Sequence, residues 1–420
     1  MNFGKWFGKH SPKLGALEIL KYIGPGFIVT VGFIDPGNWA ANIAAGSTYG
    51  YSLLWMVSLS TFMLIILQHN AAHLGIVTGL CLSEASSRFF HKSVSRFFLF
   101  TAMLAAVATA LAEILGAAIG LNMLFGLPLN IGGGLTAALT LYMILSNSYR
   151  KIEKWIIGFV SLIGLGFLFE LSLVTLNWSS TLKHWVVPSL PYGALPVIMS
   201  VLGAVVMPHN IFLHSEIIQS RQWNLEGEAI INKQLRFEFM DTLTAMLTGW
   251  AINSAMIIVA ASVFHANGVT VTELSQAQET LKPLMGDAAA VVFALALLFA
   301  GFASSITCGM AGGSIFAGIS GEPYDISDNH SRTGVIITIT GGLLVIFFLK
   351  DPFQGIIWSQ IFLSIQLPLT VFGLISLTSS KKVMGKFANS FTDKIVLLAI
   401  AIIVSLLNLM LLVQILRGIS

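Results

Sequence analysis

The sequence predicts an all-α polytopic membrane protein: two halves of five spans each, inverted relative to one another, with the first and sixth spans broken and an eleventh appended. Three observations carry this. Only 10% of the 420 residues are charged and 55% are hydrophobic, whereas soluble domains carry about 25% charged residues. The apolar residues gather in eleven runs, each near the ~20 residues a helix needs to cross a bilayer. Two of those runs are interrupted by proline beside polar side chains.

The first run, about 22–46, contains Phe33-Ile34-Asp35-Pro36-Gly37-Asn38-Trp39. Pro36 removes a backbone donor and clashes with the preceding turn, and Gly37 adds freedom, so the helix is expected to break where no water can repair it. Such breaks are tolerated inside a membrane only around a cavity. A carboxylate at that depth costs at least ~2.5 kcal/mol to insert, which marks Asp35 as a functional residue rather than a paired bystander at a kink.

The sixth run, about 193–219, repeats the device with Ala204-Val205-Val206-Met207-Pro208-His209-Asn210. Interrupted segments at corresponding places in two halves point to the binding site of a secondary transporter. D-P-G-N in the first helix with A-x-x-M-P-H-N in the sixth resembles the Nramp family of divalent metal transporters, over nearly the whole chain. The resemblance implies a LeuT-type 5+5 inverted repeat and alternating access.

In order, the spans are expected at about 22–46, 51–74, 97–125, 131–147, 153–176, 193–219, 239–264, 288–318, 333–349, 354–378 and 393–416. They divide the chain into an N-terminal segment 1–21, a first repeat 22–176, a second repeat 193–378 and an additional span 393–416. Lys and Arg cluster in alternate connections: Lys5 to Lys21, Arg88 to Arg96, Arg150 to Lys154, Arg221 to Arg236 and Lys381 to Lys386. The opposite connections hold Lys183, Lys282 and Lys350. The positive-inside rule therefore predicts a multi-pass cell-membrane protein with a cytoplasmic N-terminus and an external C-terminus. Residues 1–14 lack the apolar core of a signal peptide. Asn177-Trp178-Ser179 is a formal glycosylation acceptor in a connection on the outer side.

A metal site between the two breaks needs oxygen or sulfur donors. The chain offers the Asp35 carboxylate, the Asn38 amide oxygen, the freed Ala204 carbonyl and the Met207 thioether. The family resemblance implies that these four are ligands and adds Gln360, in Trp358-Ser359-Gln360. A lone Met in a membrane helix ordinarily fills space, but beside Pro208 it is expected to bind the ion. Ca²⁺ and Mg²⁺ prefer all-oxygen shells, whereas Mn²⁺, Fe²⁺ and Cd²⁺ accept sulfur, so Met207 argues for transition metals.

For a proton route the resemblance implies Glu113, in the third span, and His209; His214 lies five residues beyond His209 on the sixth. The departures from the family pattern fall here. Ala110 stands where relatives carry an aspartate three residues before the glutamate, and Ala41 or Asn42 where they carry an acid. Ala303 replaces a glutamine, and Ser331-Arg332 replaces an arginine pair. The ion site is complete and the proton wire thinned, although His69 and His73 on the second span offer an alternative.

Gly75-Ile76-Val77-Thr78-Gly79 also matches the family, as packing and hinge, and Gly309, Gly312, Gly313 and Gly318 read as close helix contacts. Cys81 and Cys308 lack metal or disulfide spacing and read as packing residues.

The expected function is import of divalent transition metal, Mn²⁺ first and Fe²⁺ or Cd²⁺ next, with weak or altered proton coupling. A same-fold carrier of Mg²⁺ or another divalent cation, uncoupled from protons, is the rival that Met207 opposes. A membrane enzyme would need a nucleophile and base or a motif such as H-E-x-x-H, and the sequence has neither. The net charge of +3 is too small to imply a nucleic-acid partner, and no cofactor or obligatory protein partner is expected; the partners expected are the metal ion, protons and the lipid bilayer.

Overall fold

The computed structural model describes residues 34–146, 158, 165–166, 178–220, 222–225 and 227–417. Most of the expected fifth span, the first half of the first, the N-terminal basic segment and Asn177 lie outside these. Within them every regular element is helical. In chain order the helices are α1 Pro36–Tyr49, α2 Leu54–Thr78, α3 Leu82–Phe89, α4 Lys92–Phe125, α5 Leu129–Ser146, α6 Trp178–Val186, α7 Leu195–Val205, α8 Pro208–Gln219, α9 Glu228–Val263, α10 Leu274–Met285, α11 Asp287–Ile319, α12 Asn329–Ile346, α13 Pro352–Thr378, α14 Lys381–Met384 and α15 Phe391–Leu416. Each expected span except the fifth thus has a helix at its place.

The two breaks follow from local chemistry. Asp35 is the N-cap of α1, with extended backbone (ψ 164°), and its carboxylate accepts the Asn38 amide N–H while Pro36 occupies the first helical position. A side-chain oxygen at the N-cap and a proline at N1 are a favourable pairing, because the missing N–H would have had no partner. In the sixth span α7 ends at Val205 and α8 restarts at Pro208, with Met207 as an extended N-cap.

The helices fall into two packed groups. In one, α9 crosses α1 and α2, α8 lies along α2, and α7 touches α1 and α2. In the other, α11 runs along α4 and both pack on α12 and α5. Helix α13 leans on both, against α7, α1 and α4. Small residues bring the helices close, both between the groups and within the second. A methyl group at Gly116 of α4 would lie 2.1 Å from Pro36, and one at Gly312 of α11 would lie 1.9 Å from Thr338 of α12. Gly309, Gly313 and Gly318 likewise meet Ile144, Tyr324 and Ser83 closely. Gly75 sits under the Ser215 carbonyl and Gly79 caps α2 in the left-handed region (φ 67°), so G-I-V-T-G packs and terminates this helix.

Candidate metal site between the two helix breaks

The capping geometry that breaks α1 also builds its polar centre. Asn38, one turn in, donates its backbone N–H to Asp35 Oδ1 at 2.6 Å and its side-chain Nδ2 to the same oxygen at 2.9 Å. The same Nδ2 reaches the Ala204 carbonyl at 2.9 Å, where α7 is about to end. One amide group therefore ties the two breaks together across 166 positions of sequence. Asp35, Asn38 and Ala204 are each fully buried, and among the described residues no ion pair neutralises Asp35.

Gln360 of α13 comes to the same place. Its amide lies so close to α1 that a methyl at Gly37 would be 2.2 Å from Nε2, while its backbone carbonyl lies on Gly203 of α7. Nε2 donates to Ser359 Oγ at 3.1 Å, and Oε1 is buried with no hydrogen-bond donor. Met207 is placed less directly. Its sulfur accepts from Asn210 Nδ2 at 3.4 Å and its side chain packs with Ala105 and Leu363; the described hydrogen bonds do not tie it to Asp35. Asn38 turns its amide nitrogen, not the expected oxygen, toward Asp35 and Ala204, because an amide between two bare acceptors is held best as a donor.

Glu113 of α4 lies beside Asp35 and accepts from Ser304 of α11, and each carboxyl keeps one buried oxygen, Asp35 Oδ2 and Glu113 Oε1, with no hydrogen-bond donor. His209 meets Thr109: the threonine hydroxyl donates to Ala105 O at 3.0 Å, so its oxygen is free to accept from His209 Nδ1 at 3.1 Å. His214 is apart from both, with Nδ1 2.8 Å from Gln68 Oε1.

Sequence reasoning missed two polar features. Glu238 of α9 binds His69 of α2, Nδ1 to Oε2 at 2.5 Å. Glu216 of α8 is buried and accepts from Ser314 at 2.7 Å, with Cys81 and Glu84 within 4.8 Å. Burial, helped by Glu216 and Glu84, pushes the Cys81 thiol well up, so it stays a neutral packing group. Cys308 donates to the Ala106 carbonyl at 3.1 Å. An acid inside a mostly apolar helix was the available signal for Glu216, but nothing nearby in sequence names its partners.

Two half-helices meeting at a buried carboxylate, carried by one helix group and braced by another, define a membrane transporter with the LeuT-type arrangement. A nucleobase-cation-symport-1 family transporter, Mhp1, has the same fold at TM-score 0.63 and 15% identity, over 92% of this chain and 91% of its own. The family follows from closer matches. The model for natural resistance-associated macrophage protein-like sequences matches residues 26–414, and the chain belongs to the Nramp family. It is 39% identical over 405 residues to the divalent metal cation transporter MntH of Caldanaerobacter subterraneus, covering 96% of this chain and 94% of that one. It is 36% identical over 408 residues to MntH of Bacillus subtilis, with the same two coverages, 96% and 94%. The Eremococcus coleocola manganese transporter superposes at TM-score 0.84, 28% identical over 96% of this chain and 88% of its own.

Proposed function

We propose that this protein imports divalent transition-metal ions, Mn²⁺ ahead of Fe²⁺ and Cd²⁺, by alternating access about Asp35, Asn38, Ala204, Met207 and Gln360. The observation that carries the reading is the Asn38 amide bridging Asp35 Oδ1 and the Ala204 carbonyl. Two oxygens of unlike helices, one of them ionisable, converge on a single donor in a buried place, and a cation satisfies both at once. Turning the Asn38 amide over would present Oδ1 to the same ion. Gln360 Oε1, buried without a donor, supplies a further oxygen from α13, and a small movement of Met207 adds sulfur that Mg²⁺ and Ca²⁺ gain little from. The curated relatives named as divalent metal cation transporters and the solved manganese transporter support the substrate class.

The reading includes an N-terminus in the cytoplasm, a C-terminus outside, and repeats over 22–176 and 193–378 with 393–416 appended. It also includes weak proton coupling through Glu113, His209 and His214. The test is uptake into proteoliposomes holding a metal-sensitive dye, with Mn²⁺, Fe²⁺, Cd²⁺, Mg²⁺ and Ca²⁺ offered separately and in competition. Entry of Mn²⁺ and Cd²⁺ with exclusion of Ca²⁺ is expected; equal entry of Mg²⁺ favours the rival reading of a same-fold Mg²⁺ carrier.

A further inference from the structure

On the face of α4 that leads away from Glu113, the buried residues are Ala110, Ala106, Met103 and Leu99, which hold no proton. At the start of α12, Ser331 Oγ accepts from Asp325 N and Arg332 Nε is spent on the Ile326 carbonyl. The other side of α8 differs. His214, two turns past Met207, is fully buried; its Nδ1 faces the Gln68 amide oxygen and therefore carries the proton, leaving Nε2 bare. Nε2 lies 3.9 Å from Glu238 Oε1. Glu238, with a side chain only 1% exposed, accepts from Thr242 at 2.6 Å on Oε1 and meets His69 Nδ1 at 2.5 Å on Oε2. Its neighbours in charge are imidazoles, with no Lys or Arg ion pair among the described residues. The His69 side chain is 30% exposed and lines a cleft of about 500 Å³ with Leu235, Arg236, Phe239 and Met240.

We propose that His214, Glu238 and His69 form a proton path from the interior of the sixth span to the end of the molecule that carries α14 and the start of α9. This rests on the transport reading above and replaces the route that Ala110 and Ser331 interrupt. A hydronium ion reaching the interior gives a proton to His214 Nε2. That N–H breaks as Glu238 Oε1 takes the proton, the carboxyl group turns to present it to His69 Nδ1, and His69 gives its Nε2 proton to water in the cleft. Only N–H and O–H bonds are exchanged, and each group returns to its starting form when the half-exposed His69 ring turns over. The charged or titratable groups acting on His69 are Glu238 from α9, Asp393 from the first turn of α15, and His73, stacked 6.4 Å away on its own helix. Arg236 stands at the cleft. Those acting on His214 are Glu238 and His69. A carboxylate held between a buried and a part-exposed imidazole is the arrangement a relay requires, since imidazole both accepts and donates near neutral pH.

The test uses full-length protein in proteoliposomes with a pH dye and a metal dye inside, and Mn²⁺ as the cation. Wild type is expected to show Mn²⁺-dependent proton entry. Glu238→Gln and His69→Ala should each lower it by at least about fivefold while Mn²⁺ entry stays within about twofold, since only the relay is cut. Added imidazole should restore proton entry in His69→Ala, whose site opens to the cleft, and not in Glu238→Gln. Retained Mn²⁺ entry shows that the variants fold. Proton entry unchanged in both variants, or absent from wild type that still takes up Mn²⁺, overturns the path and leaves metal transport standing. Absence of Mn²⁺ entry in wild type overturns the transport reading itself.

Discussion

Asp35 is the residue on which the chemistry turns, because its Oδ1 collects two donors from Asn38 while its Oδ2 is buried without a donor. Replacing it by Asn keeps the N-cap and its hydrogen bond, so α1 should still start at Pro36, but removes the charge that a divalent ion needs. Asp35→Asn is expected to fold, insert and lose Mn²⁺ affinity by at least about 100-fold, more than disturbing a supporting shell costs; calorimetry on the purified variant showing wild-type binding would refute the site. Met207 tests selectivity rather than affinity alone. Met207→Ala should weaken Mn²⁺ and Cd²⁺ by about tenfold, near 1.4 kcal/mol, and leave Mg²⁺ and Ca²⁺ unchanged or improved. In competition uptake, Ca²⁺ remaining as poor a competitor as in wild type would show that sulfur is not the filter.

At the scale of the element, two glycines bring α13 against both breaks, and they should respond differently. An added methyl at Gly37 meets the movable end of Gln360 at 2.2 Å, whereas one at Gly203 meets the Gln360 backbone oxygen at 1.9 Å. Gly37→Ala is therefore expected to displace the amide and lower Mn²⁺ uptake by about tenfold, and Gln360→Ala added to it should cost little more, because both remove one contact. Gly203→Ala must push helices apart, with the 1–3 kcal/mol loss usual for overpacking, roughly, and a lower melting temperature in detergent. Both breaks were legible in the sequence because proline and a capping side chain act locally, as Asp35-Pro36 shows. Glu238 was not. Hydropathy begins the seventh span at 239, since Lys233, Arg236 and Glu238 itself make the stretch before it look exposed, yet α9 starts at Glu228 and buries Glu238 on α2. Its partner His69 is 169 positions away, a distance no local pattern spans. The Met207 placement was likewise beyond reach, because the rotamer follows from Ala105 and Leu363 on other helices.

For the whole molecule the question is how movement of α1, α2, α7, α8 and α9 against α4, α5, α11 and α12 is linked to protons. Glu113 lies on the second group beside Asp35 on the first, so any relative motion changes what each carboxyl faces. Beyond Glu113 the second group has no titratable station on its α4 face, and Ala110 is pressed on the α12 backbone, where a methyl at Gly342 would lie 2.7 Å from its carbonyl carbon. Metal uptake is therefore expected to draw only weakly on an inward proton gradient, with fewer than one proton entering per metal ion. Restoring an acid alone would bury a carboxylate between α4 and α12 without a base, at a cost of several kcal/mol. The informative variant is Ala110→Asp combined with Ser331→Arg, which restores an acid on α4 and a second base at the start of α12. In proteoliposomes under an inward proton gradient, wild-type Mn²⁺ uptake should rise less than about threefold over uptake without the gradient, while the double variant should respond more steeply and acidify the lumen more per ion. If wild type already acidifies the lumen one proton per ion, and Glu113→Gln or His209→Ala abolishes that signal, the route through α4 is sufficient as it stands and weak coupling is wrong.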